Sequence, residues 1–271
     1  MSIEETSRLL RTYRIVPNRL LGQNFTVEHW VFAKLSQYAN LAKNDIVLDA
    51  GAGFGFLTSF LSHRCGGVIA VEKDPLVAEV LRERLQSEDN VKVIIGDVLK
   101  IELPNYNKIV AIPPYYLSSR LVVWLLNRKV DCAVLVFQRE FADRLVAAEG
   151  SDAYSWLTVA ASRSLEVELL DSIPKESFYP QPDVDSVIAR LVPCTAYFKV
   201  ADELFFIQMV KWLFTQRNKK VRNAITPFIR SKRKVVKDEA ERMAASLAFK
   251  DKRVRALRPE DFGELADVIK E

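Results

Sequence analysis

The sequence predicts an α/β protein in which a doubly wound, mostly parallel sheet of seven strands is followed by a small helical domain. Short apolar runs typical of buried strands alternate with helical stretches between residues 46 and 162. This alternation indicates a parallel sheet with helices on both faces. After residue 193 the pattern changes to helical periodicity with many charges. We therefore predict a first domain at residues 1–195 and a helical domain at residues 196–271.

Seven strands and six helices are predicted in the first domain. Thr26 is the expected N-cap of the first helix, and Pro75 suits the first turn of the third, where its missing amide costs nothing. A proline-rich loop joins the last two strands, so we expect them to form an antiparallel pair at one edge. The predicted strands are residues 46–49, 68–72, 91–95, 109–112, 132–137, 165–173 and 186–192. The predicted helices are residues 27–38, 56–63, 75–85, 118–127, 138–148 and 154–162.

The composition argues against several classes of protein. With 271 residues, of which 49% are hydrophobic, the chain can bury a full core. Three scattered cysteines and only two histidines argue against a disulfide framework, a zinc site and a Ser-His-Asp hydrolase. The N-terminal residues have no apolar signal core, and no apolar run approaches the length of a membrane span. We expect a cytoplasmic protein that is monomeric and binds neither a metal nor a membrane.

The stretch IVLDAGAGFGFLT, residues 46–58, is the centre of the predicted site. A strand that ends in glycines and continues as a helix exposes backbone at the carboxyl edge of a parallel sheet, where open α/β folds bind ligands. A dinucleotide fingerprint requires G-x-G-x-x-G/A, but the last position, counted from Gly51, is the large Phe56. The G-x-G-x-G spacing instead favours a loop for S-adenosylmethionine, which has no pyrophosphate. A turn that binds no ligand is the alternative.

Polar residues also follow the neighbouring strands. Glu72 ends the apolar run GVIAVE, and a carboxylate there can accept the ribose hydroxyls of an adenosine cofactor. Asp97 follows the third strand and can accept a hydrogen bond from the exocyclic amine of adenine. In the segment LGQNFT, the amides of Gln23 and Asn24 can bind the carboxylate or ammonium of an amino acid.

Aromatic side chains provide a candidate surface for a nucleic-acid base. The motif PPYY follows the fourth strand, and its prolines stiffen the backbone. Tyr115 in this motif offers a face to an unstacked base. Phe178, in the loop FYPQPDVDS between the last two strands, is a second candidate, since two aromatic rings can sandwich a base. Tyr116 and Tyr179 are interpreted as packing residues.

Two basic clusters occur in the predicted helical domain. They read QRNKKVR at residues 216–222 and RSKRKVVK at residues 230–237. The formal net charge is only +4, so the concentration of positive charge in one region carries more information than the total. This pattern favours contact with nucleic-acid phosphates. An ordinary solvated helix surface is the alternative.

Eight sequence blocks occur in a characteristic order between about residues 20 and 225. They are LGQNF, DAGAGFGFLT, AVEKD, GDVLK, PPYYLSS, VFQREFADRLVA, FYPQPDVDS and FTQRNKKVRN. These blocks and their order make the chain similar to the rRNA adenine N6,N6-dimethyltransferase family, in its small-subunit ribosome biogenesis branch. The resemblance implies a Rossmann-like class I methyltransferase that uses S-adenosyl-L-methionine. It also implies transfer of two methyl groups to the N6 amine of each of two adjacent adenosines near the 3′ end of small-subunit rRNA. The helical domain would help to dock the rRNA.

The same resemblance implies the roles of individual residues. Asn24 and Thr26 would contact the methionine end of the cofactor, and the rings of Tyr115 and Phe178 would stack on the target adenine. The implied cofactor contacts are Gln23, Asn24, Thr26, Gly51, Gly53, Glu72, Lys73, Asp97, Val98 and Ile112. The implied catalytic residues are Ile112, Pro113, Tyr115 and Phe178.

One position departs from the family pattern. The fourth motif usually reads Asn-Leu/Ile-Pro-Tyr, and here residues 112–115 read Ile-Pro-Pro-Tyr. The amine of adenine is a poor nucleophile, and in the family an asparagine oxygen accepts one of its N–H bonds. The side chain of Ile112 accepts nothing, and losing one such hydrogen bond can cost about 10² to 10³ in rate. The alternative function is therefore an rRNA-binding assembly factor with weak or no methyl transfer.

Overall fold

The computed structural model of the chain describes residues 3–16, 24–26 and 28–270. These residues form two compact units. The first consists of the described residues up to 142 together with residues 166–193, and it contains the sheet. The second consists of residues 143–165 and the described residues from 194 onwards, and it is largely helical.

The strands alternate with helices through the first unit, as the sequence predicts. In the described residues the strands are β1 (Phe25–Thr26), β2 (Ile46–Ala50), β3 (Gly67–Glu72), β4 (Val91–Ile95), β5 (Lys108–Ala111), β6 (Cys132–Gln138), β7 (Leu165–Ile173), β8 (Phe178–Tyr179) and β9 (Ser186–Pro193). The helices are α1 (Ile3–Thr12), α2 (His29–Tyr38), α3 (Phe56–Ser62), α4 (Pro75–Arg84), α5 (Ser118–Leu125), α6 (Arg139–Leu145), α7 (Trp156–Ser164), α8 (Glu203–Phe214), α9 (Val221–Arg233), α10 (Lys237–Ser246) and α11 (Pro259–Lys270).

The main sheet has seven strands in the order β4-β3-β2-β5-β6-β9-β7. The pairs β3–β4, β2–β3, β2–β5 and β5–β6 are parallel, and β9 is antiparallel to β6. The predicted doubly wound, mostly parallel, seven-stranded sheet is thereby confirmed. The chain builds outward from β2 to β4 and then returns to the other side of β2 to form β5. The strand order therefore reverses between β2 and β5, which is where open α/β sheets form a ligand crevice.

The central strands are buried along almost their whole length. All residues of β3 and β5 are buried, as are six of the seven residues of β6. A parallel sheet covered by helices on both faces requires such continuous apolar runs, because neither face meets water. This explains why the central strands are recognisable in the sequence without an alternating pattern.

A buried ion pair joins the amino ends of the sheet. The Nζ of Lys108, at the start of β5, lies 2.9 Å from Oδ2 of Asp45 and donates to the carbonyl of Asn40 at 2.8 Å. The side-chain amide of Asn107 donates to the other oxygen of Asp45 at 2.7 Å. Burial alone would raise the pKa of Asp45, but the hydrogen bonds from Lys108, Asn107 and the Ala42 amide lower it.

The structure corrects the predicted start of the first sheet-covering helix. Helix α2 begins at His29 and its N-cap is Glu28, which makes no side-chain capping hydrogen bond. Thr26 instead lies in β1, opposite Phe178 of β8, and its hydroxyl donates to the carbonyl of Ser177 at 3.0 Å. The prediction was wrong because a partner strand distant in sequence engages the Thr26 hydroxyl that would otherwise cap the helix.

The second unit has a core of its own. Tyr154 and Val159 pack with Phe206 and other apolar side chains of α8, α9 and α11. Arg163 of α7 donates to both carboxylate oxygens of Glu203 at 2.6 Å. Residues 143–165 therefore group with the C-terminal helices, whereas the predicted boundary placed them in the domain at residues 1–195. The functions assigned to residues 1–195 and 196–271 stay predictions. No helix among the described residues has both the length and the apolar character needed to cross a membrane.

Candidate active site

A cleft lies at the carboxyl edge of β2, β3 and β5, at the point where the strand order reverses. The space within it, counted together with the solvent at its open mouth, is about 880 Å³. Gln23 lies outside the described residues, and every other residue predicted to contact the cofactor lines the cleft. These residues are Asn24, Thr26, Gly51, Gly53, Glu72, Lys73, Asp97, Val98 and Ile112.

The loop after β2 requires glycine at the position closest to the fourth motif. Gly51 has φ of +85°, and a Cβ built on it would lie 2.7 Å from Cδ of Pro114. Both the left-handed conformation and the close approach exclude a larger residue. The amides of Gly51 and Ala52 donate to the carbonyl of Val71 at 2.8 and 3.0 Å, which ties the loop to β3. The loop and Pro114 of the PPYY segment therefore lie side by side in the lining of the cleft.

Glu72 is held rigidly at the end of β3. Its Oε2 accepts the amide N–H of Gly53 at 2.9 Å, and its Oε1 accepts the amides of Lys73 and Asp74 at 2.8 and 2.9 Å. Burial raises the pKa of Glu72, and the three amide hydrogen bonds oppose that rise. Because Oε1 already has two donors, Oε2 is the oxygen with capacity for a further hydrogen bond.

Asp49 is a titratable group in the cleft lining to which sequence analysis gave no role. It is 1% exposed, and its Oδ2 accepts a hydrogen bond from the hydroxyl of Thr58 at 2.7 Å. Burial raises the pKa of Asp49 to about 7; the Thr58 hydrogen bond opposes this rise and the charge of Glu72 adds to it. A carboxyl inside an otherwise apolar strand run was the signal that could have identified it.

Lys73, Asp97 and Tyr116 come together at another part of the cleft. The Nζ of Lys73 lies 3.6 Å from Oδ2 of Asp97 and 6.0 Å from the ring centre of Tyr116. The amide of Leu99 donates to Oδ1 of Asp97 at 3.1 Å, which fixes that carboxylate. Tyr116 is 40% exposed and lines the cleft. The interpretation of Tyr116 as a packing residue missed this position, whereas Tyr179 packs against the core of the first unit.

The fourth motif lies directly after β5. Ile112 is half-buried, follows the last strand residue Ala111, and lines the cleft with Pro114. Pro113 between them is buried. The position at which the family usually carries an asparagine therefore presents an aliphatic side chain to the cleft.

The two predicted base-stacking rings meet edge to face. The ring centres of Tyr115 and Phe178 are 6.5 Å apart, and their planes are inclined by 67°. Phe178 is only 2% exposed, whereas Tyr115 is half-buried and its hydroxyl lies 2.7 Å from the hydroxyl of Ser186. Burial raises the pKa of Tyr115, and the Ser186 hydrogen bond opposes the rise. Stacking of both rings on an adenine stays a prediction.

The basic clusters of the second unit divide into paired and unpaired cations. Arg217 donates to the carbonyls of Ser151 and Asp152 at 2.7 Å, so its guanidinium fixes a loop. Lys220 and Arg222 lie 3.2 and 3.3 Å from the carboxylate of Asp251. In the second cluster, Lys232 donates to Gln208 and Arg233 to the carbonyl of Lys270.

Two cations of the second cluster differ from Lys232 and Arg233 in having no partner among the described residues. Arg230 and Lys234 are exposed on α9 and at its C-terminal end, and neither has a hydrogen-bond or ion-pair partner within the part of the chain that the structure describes. Arg230 lies in the last turn of α9, and Lys234 is the left-handed C-cap that ends the helix, so both belong to the C-terminal end of α9. In residues 3–16, 24–26 and 28–270 there is no group of three or more potential metal ligands.

Comparisons with known proteins agree with the fold and the cleft. A family model described as "Ribosomal RNA adenine dimethylase" matches residues 17–270. A Methanosarcina mazei protein named "Probable ribosomal RNA small subunit methyltransferase A" is 36% identical over 263 residues, 96% of each chain. A solved dimethyladenosine transferase from Plasmodium falciparum has a TM-score of 0.73 at 26% identity, covering 89% of this chain and 95% of that one. The 23S rRNA methyltransferase ErmE has a TM-score of 0.64 at 28% identity, covering 91% and 100%.

The sheet order, the antiparallel pairing of β9 with β6 and the glycine-walled cleft define a Rossmann-like class I methyltransferase fold, which both solved structures share. The family match extends from residue 17 through both units to residue 270. The chain belongs to the ribosomal RNA adenine dimethylase family.

Proposed function

We propose that this protein transfers methyl groups from S-adenosyl-L-methionine to the N6 amines of two adjacent adenosines near the 3′ end of small-subunit rRNA. The observation that carries the proposal is the gathering of nine predicted cofactor residues, from five separate segments of the chain, in one cleft at the switch point of the sheet. The full-length similarity to a protein named as a small-subunit rRNA methyltransferase supports the choice of substrate.

The polar groups of the cleft fit an adenosine cofactor. Oε2 of Glu72 retains a lone pair for a ribose hydroxyl, and three backbone amides keep the carboxylate in place. Asp97 provides a fixed acceptor for the adenine amine, and Asn24 and Thr26 line the cleft as candidates for the methionine end. When bound, S-adenosylmethionine supplies an electrophilic methyl group on a sulfonium. The chain's own task is then to orient the amine and stabilise the charge that develops on its nitrogen.

The fourth motif limits how well the chain performs that task. The lone pair of the adenine amine is delocalised into the ring, and hydrogen-bond acceptors at its two N–H bonds hold the lone pair towards the methyl group. The side chain of Ile112 supplies no acceptor, so the backbone carbonyls of Ile112 and Pro113 are the remaining candidates. Positioning and stacking contribute in addition. We therefore propose an enzyme that is slower than relatives with asparagine at this position, by up to about 10² to 10³.

Ile112 also supports a second candidate function, an assembly factor that binds pre-rRNA without transferring methyl groups. The cofactor cleft and the exposed cations of α9 would be retained in such a protein. Only the acceptor at the reacting amine would be absent. Methyl transfer to the small subunit therefore discriminates between the two functions.

The test uses small ribosomal subunits that lack the modification, labelled S-adenosylmethionine, and analysis of the modified nucleosides. The natural protein and Ile112→Asn are assayed side by side, with Ile112→Val as a control that changes the side chain without adding an acceptor. N6,N6-dimethyladenosine formed by the natural protein supports the enzyme. Binding of subunits without transfer, together with transfer by Ile112→Asn, supports the assembly factor and contradicts the first proposal.

A further inference from the structure

Ser186 holds a fixed position beside the fourth motif. It is the first residue of β9, it is fully buried, and it lies opposite Gln138 in the antiparallel ladder between β6 and β9. Its hydroxyl is 2.7 Å from the hydroxyl of Tyr115, and either group can be the donor. The sequence places Ser186 in the block FYPQPDVDS but assigns it no role.

The backbone around Ser186 is held on two further sides. The amide of Arg139 donates to the carbonyl of Asp185 at 3.0 Å, and the amide of Lys175 donates to the carboxylate of Asp185 at 3.0 Å. The backbone at Ser186 is therefore held by hydrogen bonds that do not involve Tyr115. A hydroxyl in a strand ladder moves less than one in a surface loop, because several hydrogen bonds hold its backbone.

Tyr115 lies in a different setting. It begins a short 3₁₀ turn, Tyr115–Leu117, that follows two prolines, and its ring contacts Phe178 only edge to face. The edge contact with Phe178 holds one side of the ring, and the hydrogen bond at the hydroxyl holds the far end of the side chain. The direction in which the ring presents its face is therefore set by both ends of the residue.

We propose that Ser186 is a positioning residue that orients the Tyr115 ring towards the target adenine through the hydrogen bond between their hydroxyls. This inference rests on the proposed function, since an oriented ring matters most where a base must meet a methyl donor. It carries more weight in this chain than in relatives with asparagine in the fourth motif. Here the adenine has no side-chain acceptor at Ile112, so correct placement depends more on stacking.

The kinetic test is a double-mutant cycle with Ser186→Ala, Tyr115→Phe and the double variant, assayed for methyl transfer to unmodified small subunits. Each single variant is expected to lower kcat roughly tenfold through misplacement of the base. KM and the affinity for S-adenosylhomocysteine should stay within about twofold, and the double variant should equal either single one because both remove the same bond. Ser62→Ala is the control, since its buried hydroxyl bonds to the Ser59 carbonyl and Glu88 instead.

A natural kcat in Ser186→Ala, or a double variant whose loss is the product of the single losses, would overturn the proposal. A natural protein that transfers no methyl group contradicts the proposed function instead. In that case the anchoring is decided by the ¹³C spectrum of tyrosine Cζ, with Tyr115 assigned from Tyr115→Phe. Ser186→Ala is expected to shift the Tyr115 signal and Ser62→Ala to leave it in place; an unmoved signal in Ser186→Ala overturns the anchoring.

Discussion

The hydroxyl of Thr58 donates a 2.7 Å hydrogen bond to the carboxyl group of Asp49, and both side chains are buried in the first unit. This contact joins the end of β2 to α3 across the glycine-rich loop. It is not sufficient to keep Asp49 ionised, because burial and the charge of Glu72 raise its pKa to about 7. The cleft therefore contains a carboxyl that changes its charge close to neutral pH.

This titration predicts how stability depends on pH. Between about pH 4 and 7 folded Asp49 keeps a proton that the unfolded chain has already lost. The folded state therefore binds more protons, and the free energy of unfolding falls as pH rises through that window. Asp49→Asn, which retains an acceptor for Thr58, should remove this dependence. At pH 8 its free energy of unfolding should exceed that of the natural protein by on the order of a few kcal/mol. Urea unfolding of both proteins at pH 5, 6, 7 and 8 measures these free energies.

The control for that experiment is Asp89→Asn, an exposed carboxyl in the loop after α4. Its pH profile should follow that of the natural protein. If Asp49→Asn and the natural protein lose stability in parallel between pH 5 and 8, Asp49 is ionised throughout and the inference from its burial is wrong.

Glu72→Gln is expected to lower the affinity for the cofactor. A glutamine can place only one acceptor oxygen among three amide donors, so its NH₂ group faces at least one backbone N–H. An unsatisfied buried donor costs about 1–3 kcal/mol, and the affinity for S-adenosylhomocysteine should fall on the order of 10- to 100-fold in titration calorimetry. Glu79→Gln, an exposed residue of the following helix α4, is the matched control. Equal affinities of the two variants would show that Glu72 does not contribute to cofactor binding.

The sheet and the cleft were predictable because their signals are local. The central strands are mostly apolar runs, and Gly51, Glu72 and Asp97 stand at or just after the ends of such runs, so the parallel order brings them to one edge. The role of Thr26 was not predictable, since its hydroxyl bonds to Ser177, which lies far along the chain. The hydrogen bond between Tyr115 and Ser186 is equally non-local. Side chains whose partners come from distant segments have no pattern in the sequence until the fold is known.

The basic clusters show the same limit. From the sequence, Lys220 and Arg230 are equivalent cations in two similar runs. In the structure Lys220 pairs with Asp251, whereas Arg230 is exposed and unpaired among the described residues. Charge density indicates a region, but only packing distinguishes cations that stabilise the fold from cations available to a partner.

Arg230→Ala combined with Lys234→Ala is expected to weaken binding to small ribosomal subunits without unfolding the protein. If each cation meets one rRNA phosphate, the slope of log affinity against log salt should become shallower by about 2. The measurement is subunit binding at several salt concentrations. Lys220→Ala combined with Lys232→Ala also removes two charges, but from residues with partners in this unit, and should change the slope less. Equal slopes for both double variants would show that binding depends on total charge rather than on the cations at the C-terminal end of α9.

Lys108→Met is expected to be strongly destabilising. The side chains of Asp45 and Lys108 are 5% and 11% exposed, and removal of the lysine leaves a buried carboxylate without its cation. Breaking a buried pair in this way costs about 3–5 kcal/mol, measured by urea unfolding at pH 7. Lys237→Met, in the exposed pair with Glu241, should cost less than about 1 kcal/mol.

Hydrogen bonds lower the pKa of Asp45 in the folded state, so its contribution is present at neutral pH and lost as acid protonates the folded carboxylate. The difference between Lys108→Met and the natural protein should therefore shrink towards pH 3, and a difference that stays constant would show that Asp45 does not carry its charge in the fold.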